Sequence, residues 1–213
     1  MNTRKMTLRD RLAPPLTEAL CRPFERMPAV VAGRKRLVAP AEGRVLEIGV
    51  GPGYNLPHYP PVDELVAADC LEGMLRRAAR RAGRARREVV TATAVVEALP
   101  YPDGSFDTVV ASLLLCSVRD QDRALGEIRR VLRPGGKYLF LEHVRSYDPK
   151  IARRQDRLER LWGIAASGCH PNRDTLSRIE AAFEVSDAER DELPAGPKIV
   201  RPYVLGRALR RAA

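Results

Sequence analysis

The sequence has few of the residues from which metal and redox sites are most often built. It holds three histidines and four cysteines in 213 residues, and the cysteines, at positions 21, 70, 116 and 169, include no Cys-x-x-Cys pair. Closely spaced cysteines are typical of structural zinc sites and of disulfide scaffolds. The spacing therefore predicts reduced thiols and no metal site.

Long apolar runs and aromatic residues are also scarce. No segment approaches 18 uninterrupted apolar residues, and no apolar run follows the basic N-terminus, so we expect no membrane span, no signal peptide and a cytoplasmic location. The net charge is +10, but 32 of the 37 basic residues are arginines spread over many segments, and aromatics make up only 5% of the chain. Since nucleic-acid surfaces usually add aromatic stacking to clustered charge, this pattern favours no nucleic-acid partner.

What is present is an alternation of short apolar runs with longer amphipathic segments, which is typical of βαβ units and a parallel sheet. A chain of this length forms one domain. We expect a helical cap over residues 1–40, a ligand-binding core over 41–145, and further helices and strands over 146–213. Predicted strands are Arg44–Ile48, Glu64–Asp69, Val89–Ala94, Phe106–Ser112, Lys137–Val144, Phe183–Ala188 and Ile199–Leu209. Predicted helices are Leu71–Ala82, Gln121–Leu132 followed by an Arg-Pro-Gly-Gly turn, Ile151–Ala166, and Arg173–Ala182 with Asn172 as its N-cap.

The first predicted strand runs into a glycine loop, VLEIGVGPGYN, at residues 45–55. A loop of this kind lets a ligand approach the backbone closely. The dinucleotide fingerprint requires a third glycine at position 54, which is Tyr54, and the P-loop lysine is absent. Glu47 lies two residues before the first glycine, where its carboxylate would repel a pyrophosphate and attract an amine. The loop therefore favours a cationic nucleoside without phosphates.

A second acid, Asp69, ends the second predicted strand, 20 residues after Gly49. In open α/β sheets an acid at this distance binds ribose hydroxyls. The two acids and the glycines together predict a nucleoside site at the carboxyl edge of the sheet.

These residues resemble those of the class I S-adenosylmethionine-dependent methyltransferases. The resemblance covers residues 41–144 through four blocks in order: LEIGVGPGYN, Asp69, VEALPYPDGSFDTVVAS and RRVLRPGG. It implies a Rossmann-like fold with a mostly parallel seven-stranded sheet, helices on both faces, a reversed final strand and an N-terminal helical lid. It also implies S-adenosylmethionine as cofactor, S-adenosylhomocysteine as product, and these cofactor-binding residues: Glu47, Gly49, Gly51, Gly53, Asn55, Asp69, Cys70, Val96, Glu97 and Leu113.

The sequence departs from this family pattern near the adenine. Relatives commonly place an aspartate where this chain has Val95, so adenine would be held by apolar contacts and backbone groups. Relatives from quinone biosynthesis often carry two histidines where this chain has Cys116 and Ser117. The substrate side is therefore expected to differ.

A closer resemblance indicates the methyl acceptor. The segments LLLCSVRDQ, LEHV, SGCHPNRDT and RPYVLGRAL are similar to those of the methyltransferase-like thiol S-methyltransferases. Because a thiol already offers a few per cent thiolate at neutral pH, it needs no strong base. The preferred acceptor is a small-molecule thiol; a phenolic, quinone-like or natural-product O- or C-acceptor and an RNA-binding methyltransferase are the alternatives.

Four residues are candidates for the acceptor side. His143 ends the fifth predicted strand and is the candidate catalytic base, although a histidine that ties the strand to neighbouring backbone fits the same pattern. Tyr54, Cys116 and His170 are candidate pocket residues. Their simpler interpretations are packing in the pocket wall for Tyr54, buried packing for Cys116 and a hydrogen bond within a turn for His170.

Overall fold

The computed structural model describes residues 22–166 and 168–211. Its helices are α1 (Pro28–Val38), α2 (Glu72–Arg84), α3 (Gln121–Val131), α4 (Pro149–Ala165) and α5 (Thr175–Ala182). Its strands are β1 (Arg44–Ile48), β2 (Glu64–Asp69), β3 (Val90–Thr93), β4 (Phe106–Ser112), β5 (Leu132–His143), β6 (Glu184–Glu192) and β7 (Pro202–Leu209). Most of the predicted helical cap, residues 1–21, lies outside the described residues; α1 and a short 3₁₀ turn before it form the rest.

The seven strands form one sheet in the order β3-β2-β1-β4-β5-β7-β6. The first five strands are parallel, and β7 runs antiparallel to both β5 and β6. The predicted Rossmann-like sheet with a reversed final strand is confirmed. Because the strand order reverses between β1 and β4, their carboxyl ends open a crevice of the kind in which such sheets bind ligands.

Apolar side chains alternate along the strands and create a core on each face of the sheet. Leu46 and Ile48 of β1 face the core that contains α3 and α5, whereas Val45 faces the core that contains α1 and α2. Helix α2 contributes an i, i+3, i+7 stripe to its core, formed by Leu75, Ala78 and Ala82. Helices therefore cover both faces, as predicted.

Strand β5 begins earlier than predicted. The Arg-Pro-Gly-Gly segment belongs to β5, which pairs with β4 through an irregularity between Phe106 and Thr108, so that α3 passes directly into the strand. Gly135 has φ 75°, and a Cβ on Gly136 would lie 2.8 Å from the Arg133 carbonyl oxygen. The glycines therefore permit a bulged strand start that reads, in sequence, like a turn.

The predicted cap of the last helix is wrong by two residues. Asp174 caps α5, because its carboxylate accepts from the Ser177 backbone N–H, and the helix begins at Thr175. Asn172 instead donates to Asp156 on α4. The strand predicted from Ile199 begins at Pro202, after a 3₁₀ turn.

Candidate functional site

The glycine loop follows β1 at the carboxyl edge of the sheet. Gly49, Gly51 and Gly53 all have positive φ, from 54° to 81°. A Cβ on Gly53 would lie 2.9 Å from the Ala78 Cα of α2, so this glycine lets the loop pack on the helix. A Cβ on Gly51 would meet nothing within 4 Å. The backbone at Gly51 is therefore open to a ligand.

Asp69 ends β2 beside this loop. Its Oδ2 accepts from the Gly51 N–H at 2.9 Å, and its Oδ1 accepts from the Leu71 N–H at 2.9 Å. Burial raises the pKa of the Asp69 carboxyl, while these backbone hydrogen bonds lower it. Each carboxylate oxygen has a second acceptor position. Asp69 thus fixes the loop and can still accept hydrogen bonds from a ligand.

Glu47, Asn55 and Arg34 form a buried network on the other side of the loop. The Asn55 amide donates to Glu47 Oε1 at 2.8 Å and accepts from Arg34 Nη1 at 2.7 Å. Arg34 reaches this position from α1. Glu25, in the 3₁₀ turn before α1, accepts two hydrogen bonds of 2.6 Å from the Arg34 guanidinium. Arg34 Nη1 also lies 3.4 Å from Ser112 Oγ. An acidic and a basic group therefore lie side by side at the end of β1.

One oxygen of this network lacks a hydrogen bond of standard geometry. Glu47 is 2% exposed, and neither its Oε2 nor the Tyr59 hydroxyl makes such a bond within the described residues. Burial raises the pKa of the Glu47 carboxyl to about 7. The Tyr59 hydroxyl nevertheless interacts with the Glu47 carboxyl and lowers its pKa. An orphaned buried acceptor of this kind is costly unless a ligand satisfies it.

This pKa predicts how stability changes with pH. Between pH 4.5, where an ordinary glutamate ionises, and about pH 7, the folded Glu47 keeps its proton while the unfolded one loses it. The unfolded state therefore becomes more favoured as the pH rises, and Glu47 removes about 3 kcal/mol from the free energy of unfolding across this window. In denaturant titrations, the free energy of unfolding of Glu47→Gln should rise relative to that of wild type as the pH increases from 5 to 8. Glu184→Gln on the exposed β6 is the control, and an equal change in both variants would refute the assignment.

A second buried carboxylate holds the loop after β4. Glu142 is fully buried on β5 and accepts from the backbone N–H groups of Leu114, Leu115 and Cys116 at 3.0, 3.0 and 3.3 Å. Burial raises the pKa of the Glu142 carboxyl to about 7, and these hydrogen bonds oppose the shift. Leu113, at the start of this loop, has a φ of 55°, which is strained for leucine. Glu142 is thus what fixes the turn next to the glycine loop.

The acceptor-side candidates meet near this turn. His143 Nδ1 lies 3.5 Å from Cys169 Sγ, which lies 3.7 Å from Cys116 Sγ. Within the described residues, the His143 ring thus contacts the Cys169 sulfur. His170 binds Glu159 of α4 through its ring and donates its backbone N–H to the Cys116 carbonyl at 2.7 Å.

The remaining predicted residues divide between the site and the surface. The Tyr54 ring contacts the guanidinium groups of Arg34 and Arg81, whose carbon atoms are 5.4 and 4.1 Å from its centre. Val96 is buried, and Glu97 accepts from the Arg119 N–H. Val95 and Cys70 are exposed. Val95, the departure from the family pattern, therefore presents an apolar side chain where an aspartate was expected.

Comparison with known proteins identifies the family. The model described as "Methyltransferase domain" matches residues 46–140. Human thiol S-methyltransferase TMT1A is 32% identical over 171 residues, which cover 78% of this chain and 70% of that protein. The chain belongs to this family of methyltransferases. Human thiol S-methyltransferase TMT1B is 33% identical over 177 residues, or 80% and 72% of the two chains.

Other methyltransferases match shorter parts. The demethylmenaquinone methyltransferase of Thermus thermophilus is 39% identical over 105 residues, 48% of each chain. Among solved structures, a methyltransferase of Thermotoga maritima has a TM-score of 0.70 at 19% identity over 95% of this chain and 98% of its own. The N-methyltransferase NodS of Bradyrhizobium japonicum, solved with S-adenosylhomocysteine, has a TM-score of 0.65 at 19% identity over 88% and 87%. The methyltransferase fold and the use of S-adenosylmethionine are thus shown.

Sequence reasoning missed two residues of this site. Arg34 lies 21 residues before Asn55 in the predicted cap, and Glu142 directly precedes His143 in a predicted strand. Neither residue carries a motif. The only sequence signal was an ionisable residue within or beside apolar positions of a helix or strand, which in a buried element requires a partner.

None of the helices in the described part of the chain combines the length and apolar character that a bilayer crossing requires.

Proposed function

We propose that this protein transfers a methyl group from S-adenosylmethionine to the sulfur of a small-molecule thiol. The observation that carries the cofactor site is the Glu47–Asn55–Arg34 network beside the open backbone of Gly51. An orphaned acidic oxygen and a neighbouring guanidinium match the ammonium and carboxylate groups of a methionine moiety. The residues present therefore fit this cofactor.

Each residue at this edge of the sheet has one role in the proposed binding of the cofactor. Glu47 accepts from the cofactor ammonium, Arg34 binds its carboxylate, and Asn55 holds the two side chains at a fixed separation. Asp69 accepts from the ribose hydroxyls with the oxygen positions that the loop leaves open. Gly49, Gly51, Gly53 and Leu113 shape the loop walls, while Val96, Glu97 and the segment near Cys70 flank the adenine.

Methyl transfer requires the protein mainly to position the two reactants. Bound at this edge, S-adenosylmethionine supplies a methyl carbon to which the acceptor sulfur forms a bond as the bond to the sulfonium breaks, its electron pair remaining on S-adenosylhomocysteine. Such an in-line displacement gains from proximity and from exclusion of water. A thiol loses its proton to solvent to a useful extent at neutral pH. The residues around Cys116 and His170, with Tyr54, then have to orient the acceptor and not to deprotonate it strongly.

The thiol preference is supported by the relatives. TMT1A and TMT1B, which match most of this chain, are both named thiol S-methyltransferases, whereas the demethylmenaquinone methyltransferase matches only about half. The alternative is an O- or C-acceptor, which would need a base, and His143 is the histidine at the strand end nearest this turn. His143→Ala would then abolish turnover while leaving cofactor binding intact.

An acceptor panel tests the proposal. Purified protein is incubated with S-adenosylmethionine and equimolar thiols, phenols and amines, and products are identified by mass spectrometry. Methylation of thiols is the expected outcome, and methylation of phenols or amines alone would overturn it. Addition of RNA should change neither rate nor product; binding of generic RNA that weakens steeply with salt would instead favour a nucleic-acid partner.

The role of Arg34 gives a sharper prediction. Arg34→Gln should bind S-adenosylhomocysteine about 10- to 100-fold more weakly, because one charged hydrogen-bonded contact to the carboxylate is lost. Adenosine has no carboxylate, so its affinity should not change. Isothermal titration calorimetry with both ligands measures the difference, and Arg36→Gln, an exposed arginine of the same helix, is the control. Equal weakening for adenosine would show that Arg34 acts only on the fold.

A further inference from the structure

Three sulfur and nitrogen donors meet behind the turn that follows β4. Cys116 lies in that turn, His143 ends β5, and Cys169 follows α4. Their donor atoms all lie within 4.8 Å of one another, and the residues are 1%, 9% and 7% exposed. These residues are separated by 26 and 27 positions in the chain, so the absence of a Cys-x-x-Cys pair could not exclude their convergence.

Two distances between donor atoms match the edges of a tetrahedral metal site. Zinc binds sulfur at about 2.3 Å and imidazole nitrogen at about 2.0–2.1 Å, so the edges of a tetrahedron are about 3.8 Å between two sulfurs and about 3.6 Å between sulfur and nitrogen. The structure has 3.7 Å between the two Sγ atoms and 3.5 Å between Cys169 Sγ and His143 Nδ1. A disulfide requires a much shorter approach, of about 2.05 Å. Two of the three donor separations thus match those of ligands around a tetrahedral ion, and the third lies within 4.8 Å.

The backbone holds the donors in this arrangement. The three backbone bonds from the loop to Glu142 fix Cys116, and the His170 N–H donates to the Cys116 carbonyl, which ties the segment of Cys169 to the turn. His143 is paired with Tyr203 of β7 at the end of β5. Donors that are fixed before a metal arrives are characteristic of a built site.

The surroundings suit bound thiolates. The Trp162 indole N–H is buried with no conventional hydrogen-bond partner among the described residues, and it interacts with the Cys169 sulfur. Indole N–H donation to a metal-bound sulfur would satisfy that donor. Two thiolates and a neutral imidazole balance the charge of a divalent ion, so the loaded site would carry no net charge in the interior.

We propose that Cys116, His143 and Cys169 bind one zinc(II) ion, releasing the two thiol protons to solvent and leaving a fourth coordination position for water or another sulfur. Three protein ligands with an open position are typical of zinc sites that contact a substrate. The proposal does not depend on the identity of the methyl acceptor. It replaces the expectation, from cysteine spacing, that no metal site is present.

Cobalt(II) titration of the reduced, chelator-treated full chain tests the proposal. One equivalent should produce a sulfur-to-cobalt charge-transfer band and the visible bands of tetrahedral cobalt, and one equivalent of zinc(II) should bleach both. Cys116→Ser and Cys169→Ser should each weaken cobalt binding by more than about 100-fold. Cys70→Ser, which changes an exposed thiol outside the cluster, should match wild type.

The wild-type titration decides the question even if a serine variant fails to fold. Absence of the charge-transfer band in wild type, or six-coordinate cobalt bands alone, would overturn the proposal. So would a well-folded Cys169→Ser, with wild-type circular dichroism, that binds cobalt as tightly as wild type. Recovery of the chain with Cys116 and Cys169 joined in a disulfide and unable to take up cobalt after reduction would overturn it as well.

Discussion

Asp69→Ala is expected to bind S-adenosylhomocysteine about 100-fold more weakly than wild type. The substitution removes a carboxylate that would accept from two ribose hydroxyls, and each charged hydrogen bond contributes about 1.5–3 kcal/mol. It also frees the Gly51 N–H, which Asp69 holds at 2.9 Å, so the glycine loop loses its tie to β2. Adenosine affinity should fall with it, which distinguishes Asp69 from Arg34. Titration calorimetry measures both affinities.

Asp63→Ala is the matched control, because Asp63 is an exposed acid just before the same strand. It should bind both ligands like wild type. If Asp69→Ala bound S-adenosylhomocysteine as tightly as Asp63→Ala, the assignment of the ribose site to the end of β2 would be wrong.

Glu142→Ala is expected to lower the free energy of unfolding by about 3–5 kcal/mol. The buried carboxylate accepts from three backbone N–H groups, and its removal leaves all three without an acceptor inside the protein. Glu142→Gln keeps one acceptor oxygen and should cost less than half as much. Both values come from equilibrium denaturant unfolding at pH 6, where the Glu142 carboxyl, with a pKa of about 7, is largely protonated in the fold.

The control for this prediction is Glu192→Ala, at the exposed end of β6, which should change stability by less than about 0.5 kcal/mol. A loss in Glu142→Ala no larger than in that control would show that the turn after β4 holds its shape without the carboxylate. An equal loss in Glu142→Gln and Glu142→Ala would show that the single acceptor oxygen kept by glutamine does not hold the turn.

Local patterns predicted much of this molecule. The strand ending in Glu47 and the glycines, and the strand ending in Asp69, have strong periodicity and short connections, so their places at one sheet edge followed from βα alternation alone. The reversed β7 did not follow from any local pattern. The family resemblance predicted it. A turn-rich segment between two short apolar runs does not determine whether the strands pair parallel or antiparallel.

What the sequence could not supply were contacts between distant segments. Arg34 reaches Asn55 from α1, and Cys169 reaches Cys116 across 53 positions. Such partners are set by how α1 and α4 pack on the sheet, which depends on the whole core. The predicted N-cap of α5 was wrong because Asn172 and Asp174 lie close together and either residue type can cap a helix.

The most direct test of the account is a competition between thiophenol and phenol, two acceptors that differ only in the reacting atom. Wild type and Asp69→Ala are each given S-adenosylmethionine with a deuterated methyl group and both acceptors, and the products are identified by mass spectrometry. The account predicts methylation on sulfur by wild type and a large loss of that product in Asp69→Ala. Labelled methyl on the phenol oxygen, or an undiminished product from Asp69→Ala, would contradict it.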